Sequence, residues 1–216
     1  MNEGKVGLGN YFWRFTLTNT VNSLLQDSGN VHYYTPALWT SLARQVMGSI
    51  ELDPASAETA NEVVGAERFF TESDNGLAQD WKAKTLWMNH PFSKGEKACK
   101  TPCKKSTCVK RGHCITEDLP SNIDWISKLS REYASGNVTE ALNICFASTS
   151  EAWFKPLLSQ PQCYIHGRVN YVGPDGRVVQ GCTKGSVVTY WGNNVERFAE
   201  VFQPYGTIKV EFNANK

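Results

Sequence analysis

The chain has 216 residues, of which 41% are hydrophobic and 20% are charged, and its formal net charge is +1. This length fits one domain of ordinary size with a substantial core. The composition excludes an intrinsically disordered chain, and the sequence contains no run of about 18 apolar residues that would cross a bilayer. Its first residues lack the basic-then-apolar order of a signal peptide, so we expect a cytoplasmic protein without a membrane partner.

The charge is unevenly distributed along the chain. Residues 94–114 contain seven Lys or Arg residues and one Glu, a local net charge of +6, against −5 for the remainder. A basic segment on an acidic chain is typical of a surface that contacts phosphate. A solvated run of charge without a partner is the other interpretation of such a segment.

The predicted elements begin after a polar stretch. Residues 1–30 show little periodicity, apart from one helix around residues 18–26, and are predicted to form an N-terminal arm, whereas residues 31–216 form the main domain. Thr35 and Pro36 precede the segment ALWTSLARQVMG. Its apolar spacing predicts a helix with Thr35 as the N-cap, Pro36 in the first turn and Gly48 as the stop.

Strands and helices then alternate. In chain order the pattern predicts a strand SIEL ending at Asp53, a helix over 56–64, strands over 66–71 and 85–88, a helix over 123–133, a strand over 142–148, a helix over 152–158, strands over 164–171 and 185–192, a helix over 195–202 and a strand over 207–212. The turn at 173–176 makes the later strands hairpin-like. This order predicts an α/β fold whose sheet is mostly parallel with an antiparallel edge.

Two predicted strands end in polar residues. Ligands of an open α/β sheet bind beyond the carboxyl ends of its strands, so these positions are candidate site residues. Asp53 with Pro54 after the first strand is also typical of a simple turn. The sequence Asn89-His90-Pro91-Phe92 follows the strand TLWM and is a more specific signal of a site than Asp53-Pro54. It places a side-chain amide, a backbone carbonyl and an aromatic ring together.

That combination suits methylation of an exocyclic amine. The lone pair of the adenine amine is delocalised into the ring, which makes the amine a poor nucleophile. The side-chain oxygen of Asn89 and the carbonyl oxygen of His90 can accept its two hydrogens and localise the lone pair for attack on an electrophilic methyl group. The ring of Phe92 can stack on a base rotated out of the duplex.

These residues lie in a series of segments that resembles one family. The series is YYTPALWTSL, SIELDPASAETAN, ESDNGLAQDW, LWMNHPFS, EAWFKPLL, HGRVNY and GSVVTYWG. In this order the segments are similar to the phage-type Dam-like DNA adenine-N6 methyltransferases. The resemblance implies a Rossmann-like fold, S-adenosylmethionine as methyl donor, double-stranded DNA as substrate, and a phage or prophage gene in a bacterial host.

The resemblance also implies roles for individual residues. Thr35 and Pro36 are expected at the methionine end of the cofactor with Asp53 and Ala55 beside them, Asp80 is expected near the cofactor adenine, and Asn89, His90, Pro91 and Phe92 are expected to form the catalytic loop. The small residues from Ala55 onward replace the G-x-G loop of many methyltransferases and still permit close approach of a ligand.

The catalytic tetrad departs from the family pattern, which is commonly Asn-Pro-Pro-Tyr or Asp-Pro-Pro-Tyr. His90 replaces the first proline and Phe92 replaces the tyrosine. Any residue supplies the backbone carbonyl at position 90, but the fixed φ of proline is lost. We do not expect the imidazole to act as a general base, because the amine becomes acidic only after it has attacked the methyl group.

Four cysteines lie within the insert at residues 94–116, at positions 99, 103, 108 and 114. Cys99, Cys103, Cys108 and Cys114 are enough to close a tetrahedral zinc shell, and so polar a segment cannot build its own core. Their spacing lacks the tight C-x2-C pair of common zinc ribbons. A structural zinc is the first interpretation, and an iron–sulfur cluster or unliganded cysteines remain alternatives.

The insert is expected to contact DNA because it follows the catalytic loop directly. The candidate DNA-binding residues are Lys104, Lys105, Lys110, Arg111 and Arg168, with Arg111 as the candidate for guanine recognition. The other cysteines, Cys145, Cys163 and Cys182, are expected to be buried as small hydrophobic residues.

Other functions are compatible with the same residues. Cytosine N4 and a glutamine amide are amines that suit the same pair of acceptors. A catalytically inactive, zinc-stapled DNA-binding protein would explain both the insert and the altered tetrad.

Overall fold

The computed structural model describes residues 33–100, 103–179 and 182–212. The predicted N-terminal arm at residues 1–30, with its helix around residues 18–26, lies outside the described residues.

The helices and strands of these ranges follow one another in chain order. The α-helices are α1 (Ala37–Met47), α2 (Glu58–Val64), α3 (Ser106–Arg111), α4 (Asn122–Ala134) and α5 (Val195–Phe202). The strands are β1 (Leu52–Asp53), β2 (Arg68–Phe69), β3 (Ala83–Met88), β4 (Lys94–Glu96), β5 (Leu119–Ser121), β6 (Val138–Phe146), β7 (Gln162–Ile165), β8 (Ser186–Trp191) and β9 (Gly206–Lys209). Short 3₁₀ helices span Glu72–Asp74, Gly76–Ala78, Ala152–Leu157 and Gln203–Tyr205.

The main sheet has seven strands in the order β2-β1-β3-β6-β8-β7-β9. Strand β1 runs parallel to both β2 and β3, and β3 runs parallel to β6. Strand β8 is antiparallel to its neighbours β6 and β7, and β9 is antiparallel to β7. Strands β1, β2, β3, β6 and β7 therefore all end at one edge, here called the carboxyl edge. The predicted α/β fold with a mostly parallel sheet and an antiparallel edge is confirmed.

Helices cover both faces of the sheet. Residues of α1 and α5 pack on one face with Trp87 of β3, and residues of α4 and the 3₁₀ helix Ala152–Leu157 pack on the other face with Met88. Successive strand residues point to opposite faces, so a strand covered on both sides must be apolar throughout. Strand β3 meets this requirement at Leu86, Trp87 and Met88, which are apolar and fully buried.

Several predicted boundaries differ from the structure for identifiable reasons. Helix α1 begins at Ala37 with Pro36 at the cap position, so Thr35 is not the N-cap. The strand predicted over 164–171 ends at Ile165, because Gly167 adopts a positive φ of 78°. The helix predicted over 152–158 is a 3₁₀ helix with Pro156 inside it.

A two-stranded antiparallel ribbon was not predicted from the sequence. It pairs β4 with β5, and α3 lies in the connection between them. Residues 94–121, here called the cysteine ribbon, therefore lie between β3 and α4 in the chain, and the structure describes all of them except 101 and 102. It leaves the main domain directly after the Asn89-His90-Pro91-Phe92 segment and returns at the first residue of α4.

Candidate active site

The chain order changes direction between β1 and β3. After β1 the chain pairs β2 on one side, and it then returns to place β3 on the other side of β1. Such a switch point opens a crevice at the carboxyl edge, where ligands of α/β sheets bind. Asp53 is the last residue of β1, and Asn89 directly follows β3. The structure therefore brings these two predicted site residues to neighbouring strand ends.

The orientation of the Asn89 amide is fixed by the backbone of Tyr33. The Nδ2 group of Asn89 donates a hydrogen bond to the carbonyl oxygen of Tyr33. A carbonyl oxygen only accepts, so the NH₂ group must face Tyr33 and the Oδ1 atom must face the other way. Asn89 Oδ1 is buried and has no hydrogen-bond partner among the described residues. A buried acceptor without a partner is costly, and it is ready to accept from a ligand.

The His90 side chain points to the opposite face of the sheet. The residue is 1% exposed, and Nε2 lies 3.1 Å from Oδ1 of Asn122, the first residue of α4. Burial lowers the pKa of His90 to about 4, and the hydrogen bond to Asn122 opposes this shift only in part. The imidazole is therefore neutral at pH 7 and does not carry a charge into the site.

Phe92 belongs to an aromatic cluster at the carboxyl edge. Its ring centroid lies 4.3 Å from that of Phe146, 5.9 Å from that of Tyr33 and 5.8 Å from that of Tyr171. The Nζ atom of Lys184 lies 5.3 Å from the centroid of the Phe146 ring. Phe92 itself is half-buried. The cluster places an apolar aromatic surface and a cation beside Asn89.

Asp53 is a buried carboxylic acid at the end of β1. Its side chain is 2% exposed, and Oδ1 accepts the Ala55 backbone N–H at 3.1 Å. Burial raises the pKa of Asp53 to about 7 despite this hydrogen bond. Thr35 is also buried, and its Oγ1 atom has no partner among the described residues. These oxygen atoms are acceptors that favour an amino group or another cation.

A glycine permits the close packing of the loop after β2 against this site. A Cβ atom on Gly76 would lie 1.9 Å from the carbonyl oxygen of Pro54. No side chain fits at that distance, so the loop contacts the backbone that follows Asp53. Asp80, farther along, is exposed, and its Oδ1 atom accepts the backbone N–H of Lys82. It precedes β3 and is not among the residues gathered at the carboxyl edge, so its contact with the cofactor adenine stays a prediction.

The four cysteines of the ribbon converge on one point. Their Sγ atoms all lie within 4.8 Å of one another. The distances are 3.3 Å from Cys99 to Cys103, 3.6 Å from Cys99 to Cys108, 3.4 Å from Cys103 to Cys108 and 3.7 Å from Cys103 to Cys114. The sequence placed these residues within one segment, and the structure brings all four sulfurs into a single group that could hold a metal ion.

The basic residues of the ribbon differ in what they contact. Lys104, Lys105 and Lys110 are exposed. Arg111 is only partly exposed, and it forms an ion pair with Glu96 at 3.2 Å while its Nη2 atom lies 3.7 Å from Cys108 Sγ. Arg111 therefore also links β4 to the cysteine group within the ribbon. Its recognition of guanine stays a prediction.

Arg168 lies in the exposed connection after β7. Because β7 ends at the carboxyl edge, this connection lies at the same edge of the sheet as Asn89. Contact between Arg168 and DNA stays a prediction.

Three residues of this region were missed from the sequence. In the sequence Tyr33 has no signal beyond its place in a family segment, Asn122 lies just before the helix predicted over 123–133, and Lys184 lies in an irregular loop. Tyr33 contacts Asn89, and Asn122 contacts His90, although the partners are far apart in sequence. Lys184 contacts the ring of Phe146 in the aromatic cluster. The polar start of α4 was the one available signal for Asn122. Of the remaining cysteines, Cys145 and Cys163 are buried as expected, but Cys182 is partly exposed, so that expectation was wrong.

Comparison with known families decides the assignment. The profile of the family described as DNA N-6-adenine-methyltransferase (Dam) matches residues 22–210, which is most of the chain and includes every site residue above. The chain belongs to the Dam family of DNA adenine-N6 methyltransferases. The resemblance identified from the sequence is confirmed, and the seven-stranded sheet is that of a Rossmann-like methyltransferase. No curated protein and no solved structure matches the chain.

Family membership gives the Dam-family chain its general activity, methylation of adenine in DNA. Within the described residues, no helix has the length and apolar character needed to cross a membrane.

Proposed function

We propose that this Dam-family protein transfers a methyl group from S-adenosylmethionine to the N6 amine of adenine in double-stranded DNA. The observation that carries the proposal is the Asn89 amide, whose Oδ1 atom is held as a buried acceptor at the switch point of the sheet. The cytoplasmic location in a bacterial host and the phage or prophage origin expected from the sequence belong to this proposal.

The catalytic loop acts by accepting hydrogen bonds. Asn89 Oδ1 and the carbonyl oxygen of His90 accept hydrogen bonds from the two amine hydrogens of a flipped adenine. These hydrogen bonds localise the lone pair on the amine nitrogen. The new N–C bond forms as the methyl group leaves its donor, and the amine then releases one proton to water. No charged nucleophile or general base of the protein is needed, in agreement with the lowered pKa of His90, about 4, which makes its imidazole a weak base.

The residues around Asp53 fit S-adenosylmethionine. This cofactor is cationic at its sulfonium and amino groups, and when bound it supplies an electrophilic methyl group. Thr35 and Asp53 offer buried oxygen acceptors, and Pro36 and Ala55 adjoin them. A nearby cation favours the ionised carboxylate, so cofactor binding would oppose the effect of burial on the Asp53 pKa. Asp80 near the cofactor adenine completes the proposed set.

The aromatic cluster supplies a surface for the flipped base. Stacking of a base on an aromatic side chain contributes about 1–3 kcal/mol. Phe92 follows Asn89 within the loop and is only half-buried, so part of its ring is available to a base. The lost tyrosine hydroxyl of the family pattern does not affect stacking.

We propose zinc as the ion of the four-cysteine group. Zinc bound at about 2.3 Å by four thiolates holds the sulfurs about 3.8 Å apart, which is close to the sulfur distances in the ribbon. In an iron–sulfur cluster the thiolates bind different irons and lie farther apart. The backbone N–H of Cys103 donates to Cys114 Sγ at 3.4 Å, and Arg111 faces Cys108 Sγ. Both groups would stabilise the negative charge of bound thiolates.

The zinc-stapled ribbon is proposed to contact the DNA backbone. Lys104, Lys105 and Lys110 are exposed on it and can pair with phosphates, and Arg168 adds a positive charge at the carboxyl edge. Phosphate contacts of this kind position the duplex, whereas sequence is read from base edges. Arg111 remains the proposed contact with guanine.

Transfer of an isotope-labelled methyl group to duplex DNA tests the proposal. Wild-type protein should label DNA that contains the target adenine, and digestion should return the label as N6-methyladenine. Asn89→Ala should reduce transfer at least about 100-fold, since an electrostatic contact to the reacting group is lost. The matched control is Asn137→Ala, an exposed asparagine on the connection before β6. Label in N4-methylcytosine, label in protein, or no label would each overturn the proposed reaction.

A further inference from the structure

The His90 side chain has no part in the methyl transfer described above, although its ring is almost fully buried. It is 1% exposed, and its ring lies edge-on to Phe92, with centroids 5.7 Å apart, and to Trp153, with centroids 6.4 Å apart. Burying an imidazole costs free energy unless it makes hydrogen bonds. The ring therefore needs a partner that compensates for this cost, and the partner is Asn122.

Asn122 holds the segment that contains the catalytic loop at two points. Its side-chain Oδ1 atom lies 3.1 Å from His90 Nε2, and its backbone N–H donates to the carbonyl oxygen of Ser93 at 2.8 Å. Asn122 is itself buried at the first position of α4. A single residue on a rigid helix thus contacts the loop at its second residue and directly after its last.

Position 90 lacks the proline whose ring would fix the backbone φ. A residue other than proline keeps that freedom, and restricting it costs conformational entropy. A buried hydrogen bond between neutral groups is stabilising and acts against this cost. The His90–Asn122 hydrogen bond therefore offsets the missing constraint of proline. The side-chain direction supports this, because strand alternation carries His90 toward α4 while Asn89 faces Tyr33.

We propose that His90 is a positioning residue, whose Nε2–H donates to Asn122 and thereby holds the His90 carbonyl oxygen where it accepts from the substrate amine. The inference rests on the proposed methyl transfer and deepens it. Burial keeps the imidazole neutral at physiological pH, as the donor needs only one ring proton. His90 Nδ1 has no partner among the described residues, so Nε2 is the atom that is held.

The hydrogen bond between His90 and Asn122 is here called the lock. Single-turnover methyl transfer tests it with variants of both partners. Asn122→Ala and His90→Ala should each slow transfer about 10–100-fold, the range expected when a reacting group is misplaced. S-adenosylmethionine affinity should stay within about threefold of wild type, because the lock does not contact the cofactor residues. The double variant should be no slower than the slower single variant, since both remove the same hydrogen bond. Unchanged rates, or losses that multiply in the double variant, would overturn the inference.

A proline variant separates positioning from folding. His90→Pro, unlike His90→Ala, should transfer methyl groups at a rate within about threefold of wild type, since proline fixes its own φ. For the same reason, adding Asn122→Ala to His90→Pro should cause no further loss. An equal loss from Asn122→Ala in both backgrounds would contradict the lock. His166→Ala is the matched control, because His166 is exposed and bonds Thr207 on β9.

A spectroscopic measurement keeps the inference distinct from the proposed function. In protein labelled with ¹⁵N at histidine, His90 should show a neutral Nε2–H tautomer at pH 7 with a slowly exchanging ring proton, and Asn122→Ala should make that proton exchange rapidly. This result supports the lock even if the wild-type protein methylates no DNA, in which case only the proposed function fails. An Nδ1–H tautomer or a rapidly exchanging proton in the wild type would refute the lock itself.

Discussion

The backbone N–H of Asn122 donates to the carbonyl oxygen of Ser93 at 2.8 Å, although 28 positions separate the two residues in the chain. The cysteine ribbon therefore leaves and re-enters the main domain at one point, directly beside the catalytic loop. The same hydrogen bond therefore holds both the base of the ribbon and the end of the catalytic loop in place. Metal binding in the ribbon and catalysis in the loop are accordingly expected to depend on each other.

Loss of the metal is the first prediction. Cys103→Ser should bind less than about a tenth of the zinc of the wild type, because a shell that keeps only three thiolates binds structural zinc weakly. Zinc content measured by mass spectrometry should be about one ion per wild-type chain. Cys182→Ser is the matched control, since Cys182 lies outside the group. A wild-type protein free of metal when purified without chelator, or one that holds iron and sulfide, would contradict the zinc proposal.

The lysines of the ribbon give the second prediction. Replacing Lys104, Lys105 and Lys110 with Gln should reduce the slope of log affinity against log salt by up to about 2.7, since each lost phosphate contact lowers it by about 0.9. Fluorescence anisotropy with duplex DNA over a range of salt concentrations measures the slope. Glutamine at Lys82, Lys84 and Lys209 gives the control, because these exposed lysines lie near the opposite edge of the sheet. If both triple variants behave alike, the ribbon does not contact phosphate.

Asp53 gives a prediction for the pH dependence of stability. Its pKa in the folded protein is about 7, above the ordinary 3.8, so the folded state keeps a proton between about pH 4 and 7 that the unfolded chain has released. Stability therefore falls as pH rises through this interval. Asp53→Asn should remove that decline and raise Tm at pH 8 by at least about 5 °C relative to wild type.

The same variant should weaken the binding of S-adenosylmethionine at least about tenfold at pH 8, since an anion beside a cationic ligand is lost. Differential scanning fluorimetry and calorimetric titration measure the two effects. A variant whose Tm follows the wild-type pH curve would show that Asp53 is not buried as described, and unchanged affinity would remove it from the cofactor site.

Phe92 tests the stacking surface. Phe92→Leu keeps most of the apolar volume but removes the ring, so DNA that carries the target adenine opposite an abasic position should bind about 5–150-fold more weakly, the equivalent of 1–3 kcal/mol. Phe92→Tyr should retain wild-type affinity, because tyrosine has the same stacking face. A loss in both variants would indicate that packing against Phe146 matters and that stacking on a base does not.

The sequence predicted the site wherever its signal was local. Apolar runs that end in polar residues located Asp53 and Asn89 at strand ends, and apolar spacing after Asn194 gave α5 the bounds that the structure has. The ribbon was missed because β4 and β5 have three residues each, too few for a periodic pattern, and pair across 22 intervening residues. The partner of His90 was missed for a related reason, since a hydrogen bond between positions 32 apart leaves no local trace.

The buried acceptor of Asn89 is proposed to direct methylation to adenine N6. The most direct measurement is nucleoside mass spectrometry of DNA from bacterial cells that lack other adenine methyltransferases and express either the wild-type protein or Asn89→Ala. We expect N6-methyldeoxyadenosine with the wild type and a level near background with the variant. Equal amounts of N6-methyldeoxyadenosine in both samples, or N4-methyldeoxycytidine in its place, would rule out this role of Asn89.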